Sequence, residues 1–187
     1  MIAAALLACA TNVAPITLQA VIEVESGGNP LAIHVNGIEA QPVAFDVMGA
    51  VQLAESYIGR GYSVDLGLMQ VNSRNLRALG ISLFEAFHPC TNISAGATIL
   101  SADYANASHL RGPGQAALQA ALSAYNTGDF YRGFANGYVA RYYGRSALAS
   151  TVMGSHVPRL AAPAVPNPFT ASTSIYSRMK LDARIVG

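Results

Sequence analysis

The acidic, amide and phenolic side chains are where this sequence concentrates its chemistry, and Glu25 is the first of them. It lies in Ile22-Glu23-Val24-Glu25-Ser26-Gly27-Gly28-Asn29-Pro30. Leu18, Val21, Ile22 and Glu25 recur at i, i+3, i+4 and i+7, which places them on one face of a helix and turns Glu23 to water. Gly27, Gly28 and Pro30 end that helix and leave Glu25 in its last turn beside a loop. A carboxyl held against apolar walls, near the last helix carbonyls, has a poorly solvated charged form, so its pKa rises. It then stays protonated near neutral pH and can donate a proton. The plainer reading is a helix-end carboxylate paired with an arginine. Gln70 and Asn72 stand two residues apart in the strip from Tyr62 to Ser73, so an extended chain points both the same way. Amides presented in that manner suit a substrate rich in hydroxyl and acetamido groups, although a short β-hairpin edge accounts for the strip equally well.

The frame that must hold these groups is mainly helical. Ala14-Pro15-Ile16-Thr17 opens the Glu25 helix, with Thr17 or Asn12 as its cap. Residues 31–42 read as a loop carrying the turn dipeptide Asn36-Gly37. A second helix is predicted over 45–58, with Val47, Val51, Ala54 and Ile58 on one face. Asn72 or Ser73 caps a short helix containing Leu76 and Leu79, and Ser82-Leu83-Phe84-Glu85 has capping-box spacing. Asn92 starts a longer helix with Ile93, Ala97, Leu100 and Tyr104 on one side. After the break at Gly112-Pro113-Gly114, residues 115–125 form an Ala-rich helix with Leu118, Leu122 and Tyr125 aligned inward. Asn126 follows at its end, free to meet backbone groups or ligand. A last helix over 137–145 bears Tyr138, Tyr142 and Tyr143. From about Ser150 the pattern is lost, and four of the nine prolines fall there among Ala, Ser and Thr. Such a stretch reads as a disordered tail, residues 150–187.

A chain of 187 residues suffices for one domain with a proper core and a tail. It is 52% hydrophobic and only 11% charged, with a net charge of +1, but its longest apolar run, from Ile2 to Ala10, is too short to span a bilayer. The eleven basic residues are scattered, which leaves no footprint for nucleic acid. Residues 1–10 resemble the end of a secretory signal without its basic region, and Leu6-Leu7-Ala8-Cys9 resembles a lipoprotein processing site. The preferred reading is a start downstream of a longer signal, with Cys9 in the mature domain, whose body covers residues 11–149. The two cysteines, Cys9 and Cys90, suit one disulfide in an exported domain or else stand as separate thiols.

Several chemistries find no support. There is no H-E-x-x-H, the four histidines are dispersed, and neither a G-x-S-x-G elbow nor a phosphate-cradling glycine loop occurs. No metal and no cofactor is expected. A lone well-placed carboxyl, amides and tyrosines in a helical frame suit sugar chemistry. In order along the chain, Glu25-Ser26 with Asn29-Pro30, Gly67-Leu68-Met69-Gln70 with Asn72, Ala124-Tyr125-Asn126 and Gly137-Tyr138-Val139 resemble the motifs of the soluble lytic transglycosylase catalytic domain. Asn29-Pro30-Leu31-Ala32-Ile33, Val35-Asn36-Gly37, Tyr62-Ser63-Val64-Asp65 and His88-Pro89-Cys90-Thr91-Asn92-Ile93 resemble the branch that accompanies type IV secretion and conjugation systems.

That resemblance implies a lysozyme-like, mainly α domain that cleaves the MurNAc–GlcNAc β-1,4 bond of peptidoglycan without water. Glu25 is implied as the acid and then the base that closes a 1,6-anhydro ring. Ser26 is implied to orient the site, Gln70 and Asn72 to hold the glycan, Tyr125 and Asn126 to line the cleft, and Tyr138 to bond Glu25. It also supports pairing Cys9 with Cys90, a periplasmic location, a monomer, and secretion-channel proteins as partners. Asp65 occupies the place of the second carboxylate of animal-type lysozymes, which would make a water-using retaining hydrolase if it faced Glu25 at about 5–5.5 Å. The preferred reading of Asp65 is a loop residue satisfying backbone N–H groups. A third reading is a wall-binding assembly factor that recruits channel subunits through its tail.

Overall fold

The computed structural model describes residues 4–142. The predicted tail and the end of the last predicted helix lie outside them. Helices α1 (Ala4–Leu7), α2 (Pro15–Ser26), α3 (Val47–Gly59), α4 (Leu76–Leu79), α5 (Pro89–Arg111), α6 (Gln115–Thr127) and α7 (Arg132–Ala135) surround a small antiparallel sheet, β1 (Ile33–Val35), β2 (Val64–Leu66) and β3 (Val71–Asn72), in the order β1-β2-β3. The chain is helical again over 138–142. The expectation of a mainly α domain of the lysozyme-like class with a β-like strip near 62–72 is met.

Leu18, Val21 and Ile22 of α2 are fully buried, as their spacing predicts, and this fixes the rotation that turns Glu25 inward. Gly27 ends the helix in the left-handed region. Its start differs from the prediction. Ala14 caps without a side-chain bond and Pro15 sits at the first position, where a missing N–H costs nothing. Asn12 instead donates to Ser101 Oγ of α5 at 2.7 Å, tying the entry to the core. Helix α3 begins two residues later than expected, because Asp46 accepts from Gly49 N at 2.7 Å and so caps it. Phe45 is left outside and exposed.

Two further readings are corrected. Residues 31–42 are not all loop: Ile33-His34-Val35 pairs with β2, a three-residue strand too short for its alternation to stand out. Gln41 then staples the following turn, accepting from Val35 N and donating to Ile38 O. Asn92 does not start its helix. Proline 89 does, and Asn92 is buried one turn in, where it accepts from Met69 N (2.7 Å) and donates to Leu66 O and Ala86 O (2.8 and 2.7 Å). The hairpin turn between β2 and β3 is thereby riveted to α5. The predicted caps at 72 and 82 do form: Asn72 Oδ1 accepts from Arg74 N, and Ser82 and Glu85 bond reciprocally.

Helices α5 and α6 pack against each other through small residues, among them Ala97, Ala117, Ala120 and Ala121, all fully buried. A Cβ at Gly96 would lie 2.6 Å from Met69 Cβ and 2.8 Å from the Tyr125 hydroxyl, so only glycine lets the hairpin turn and α6 close over α5. Cys9 and Cys90 form a disulfide across 81 residues, and Leu6, Leu7 and Cys9 pack on the core.

Candidate active site

Glu25 leaves the last turn of α2 and lines a cavity of about 450 Å³ with Ser26, Asp65, Gln70, Tyr125 and Tyr138 among its walls. That volume falls in the range of sites for small ligands. Tyr138 donates its hydroxyl to Glu25 Oε1 at 2.5 Å. Burial pushes the Glu25 carboxyl up to about 7, against the opposing pull of the Tyr138 bond. The Asp65 charge adds to the rise, and Arg141 lowers it. A half-buried acid that keeps about half its population protonated at pH 7 can donate its proton there.

The supports of Glu25 come from three places. Ser26 Oγ donates to Leu68 O (2.8 Å) and Ile22 O (3.1 Å) and accepts from Gly28 N, so it joins the end of α2 to the hairpin turn. Tyr138 is held from behind: Asn136 Oδ1 accepts from Tyr138 N while Asn136 Nδ2 donates to Asn126 Oδ1, both at 2.9 Å. The Arg141 guanidinium lies 5.6 Å from the Tyr138 ring centre. Tyr125 donates to Met69 O at 2.7 Å, and burial with the nearby carboxyls raises its hydroxyl well above the usual phenol range.

The strip around Gln70 is a tight turn and not an extended run. Gly67 has φ +71°, and a Cβ there would strike the Asn92 amide at 2.5 Å. Gln70 itself has φ +48°, uncommon for a non-glycine residue, and its amide donates to Gly67 O at 2.9 Å, which holds it there. Gln70 faces the Glu25 cavity, but Asn72 does not. Asn72 lines a second cavity of about 430 Å³, and the two cavities share Asn36, Asp65, Gln70, Tyr125 and Asn126, so they are compartments of one groove.

Asp65 is not a loop residue satisfying backbone N–H groups. It sits on β2, opposite His34 and Asn72, and its two oxygens accept from the side-chain amides of Asn72 (2.6 Å) and Asn36 (2.8 Å). Every predicted site residue except the two cysteines thus lines this groove. Sequence reading missed Asn36, seen only as a turn former, together with Asn136 and Arg141. Spacing to a known motif residue was the available signal: Asn136 precedes Tyr138 by two, and Arg141 follows it by three, one helical turn on. Among the described residues, no group of three or more His, Cys, Asp or Glu side chains is placed to hold a metal ion, and no helix is long and apolar enough to cross a membrane.

A mainly α domain whose groove carries a neutral-leaning carboxyl, a tyrosine bonded to it and a wall of amides has the layout of a glycan site, and residues 3–145 match the family described as the transglycosylase SLT domain. The chain belongs to that family. It is similar to Protein virB1 of Agrobacterium fabrum, 43% identical over 133 residues, which is 71% of this chain and 54% of that protein. It is 41% identical to Protein virB1 of Rhizobium radiobacter over 155 residues, 83% of this chain and 62% of that one. Type IV secretion system protein virB1 of Brucella abortus biovar 1 is 43% identical over 129 residues, 67% of this chain and 53% of that protein. The chain therefore spans between about half and three-fifths of the curated relatives it matches. No solved structure matches it.

Proposed function

We propose that this protein is a lytic transglycosylase that cleaves the MurNAc–GlcNAc β-1,4 bond of peptidoglycan and leaves 1,6-anhydro-MurNAc. The observation that carries the reading is Glu25: a groove-lining carboxyl whose pKa burial raises to about 7, so that a large share stays protonated at neutral pH, fixed by Tyr138. Its proton goes to the bridging oxygen as the bond from MurNAc C1 breaks, so the GlcNAc end departs as an alcohol. The carboxylate then takes the proton of the muramoyl C6 hydroxyl while that oxygen bonds to C1. One residue gives and recovers the proton, and no water is consumed. The substrate's acetamido group steadies the positive charge that develops at C1. Gln70, Asn126 and Tyr125 hold the glycan along the groove, Ser26 orients the end of α2, and Asn72 acts through Asp65.

The relatives' name supports a setting in which the cut opens the wall for a type IV secretion or conjugation apparatus, with channel proteins as partners and the periplasm as the place. The Cys9–Cys90 disulfide suits that oxidising compartment. The packing of Leu6, Leu7 and Cys9 supports counting the first residues with the domain body and not as a separate extension.

One observation favours a second reading. Asp65 lines the Glu25 compartment and its charge raises Glu25, so a water-using retaining hydrolase with Asp65 as nucleophile has its carboxyl in the right compartment. Mass spectrometry of products from purified peptidoglycan separates the two, run on the wild type and on Asp65→Asn. Anhydro-muramoyl ends, still released by Asp65→Asn within about tenfold of the wild-type rate, are expected, since loss of a true nucleophile costs far more. Reducing ends that vanish in Asp65→Asn would replace the lyase by the hydrolase.

A further inference from the structure

The second compartment contains a carboxyl that the reaction above does not use. Asp103, on α5, lines it together with Asp65, Asn72, Asn75 and Asn126. We infer that Asp103 is a specificity-determining residue: its carboxyl hydrogen-bonds the acetamido carbonyl of an N-acetylhexosamine seated in the second compartment, and so governs glycan binding and not bond cleavage. The inference rests on the glycan reading of the groove.

The lining decides which form of the acid serves. The titratable groups facing Asp103 are Asp65 from β2 and Tyr125 from α6, and among the described residues no Lys, Arg or His lines this compartment. Neither neighbour can compensate a negative charge. The Tyr125 hydroxyl is already committed to Met69 O, and both Asp65 oxygens already accept from Asn36 and Asn72. Burial accordingly pushes the Asp103 carboxyl up to about 7. A neutral carboxylic acid brings one O–H donor to a wall whose Asp65 oxygens only accept. The strongest neutral acceptor on an N-acetylated sugar is the acetamido carbonyl, which outcompetes its hydroxyl and ring oxygens for that donor, and a glucosamine stripped of its acetyl group offers an ammonium that needs the ionised form instead. The choice between acetylated and bare amino sugar is therefore written into this residue.

The test uses the full chain carrying Glu25→Gln, which binds without turning over, and chitotetraose as the probe, followed by NMR titration at pH 6 and pH 8. Adding Asp103→Ala is expected to weaken binding about three- to tenfold at pH 6, the worth of one hydrogen bond. The Glu25→Gln background should itself weaken toward that level at pH 8, while Asp103→Asn, which keeps a donor and cannot ionise, should bind alike at both. Unchanged affinity in Asp103→Ala, or a pH dependence that persists in Asp103→Asn, would overturn the inference. So would tighter binding of de-N-acetylated than of acetylated chitotetraose at pH 6, where the Asp103 carboxyl is mostly protonated. Should Asp103→Ala fail to fold, the Asp103→Asn profile still decides. Because binding is read without cleavage, Asp103-dependent binding of chitotetraose together with a wild-type protein that releases no muropeptide would refute the lyase and leave Asp103 standing. Cleavage with Asp103-independent binding would do the reverse.

Discussion

Glu25 and Asp65 line one compartment, yet the regions that carry them hold a carboxyl by opposite means. On the helical side, Glu25 at the end of α2 meets apolar burial and a single phenolic donor, Tyr138, and the burial outweighs that bond, so its neutral form is favoured. On the sheet side, both Asp65 oxygens receive an amide N–H, and those amides are themselves fixed: Asn36 also donates to Ser63 Oγ, and Asn72 caps the next turn. The first arrangement leaves a proton poised to move. The second pins an acceptor in place. Residue type is nearly the same, so surroundings assign the roles.

The largest expected break in this contrast is Glu25→Gln. It keeps shape and the Tyr138 contact but removes the proton, so muropeptide release should fall roughly 10²- to 10⁴-fold, the usual worth of a positioned acid or base. Release within a few-fold of wild type would remove Glu25 from the chemistry. The same variant sharpens the contrast in stability. The folded-state pKa of Glu25 is raised from 4.5 to about 7, so the folded protein binds the extra proton between those values. The stability this contributes is complete below pH 4.5 and is lost as pH rises through 7. A difference of roughly 2.5 units at 1.36 kcal/mol each sets an upper end of about 3 kcal/mol, since a half-buried carboxyl keeps some water. Relative to wild type, Glu25→Gln should therefore gain stability between pH 5 and pH 8 by up to that amount, read from denaturant midpoints at each pH. The stability of Glu25→Gln will still slope with pH, because Asp103 is raised in the same direction.

How much of this could be read from sequence follows the same divide. The helical side was legible: the stripe Leu18, Val21, Ile22, Glu25 predicts both the buried face and the inward carboxyl, because helical period and burial are local properties. The faces of α5 and α6 came out equally well, and the motif-based placement of Tyr138 against Glu25 agrees with the 2.5 Å bond. The sheet side was not legible. Three-residue β1 is defined by its partner β2, some thirty positions away, and carries too few residues for a period. Asn92 looked like a helix start because asparagine favours caps, but here tertiary contacts win: two backbone groups of the hairpin, at Leu66 and Met69, and the Ala86 carbonyl need the partners its amide supplies. Asn36 likewise looked like a turn residue and is also a clamp on Asp65. In each case the side chain acts across a distance that no local pattern encodes.

The finest test of the divide is Tyr138→Phe, which leaves burial almost intact and removes only the donor. The Tyr138 bond lowers the pKa of Glu25, so its loss should raise it further. The first step needs the protonated acid, and kcat/KM reports the free enzyme, so the alkaline fall in kcat/KM should move to higher pH in Tyr138→Phe. At the optimum the rate should drop about tenfold, the worth of one hydrogen bond to an ionisable group that must also be held in line. Tyr125→Phe is the matching control. Its hydroxyl bonds the Met69 carbonyl of the hairpin turn and not the acid, so that variant should slow the enzyme without moving the limb. A limb that stays put in Tyr138→Phe, or moves equally in both, would mean that burial alone tunes Glu25 and that Tyr138 merely positions it.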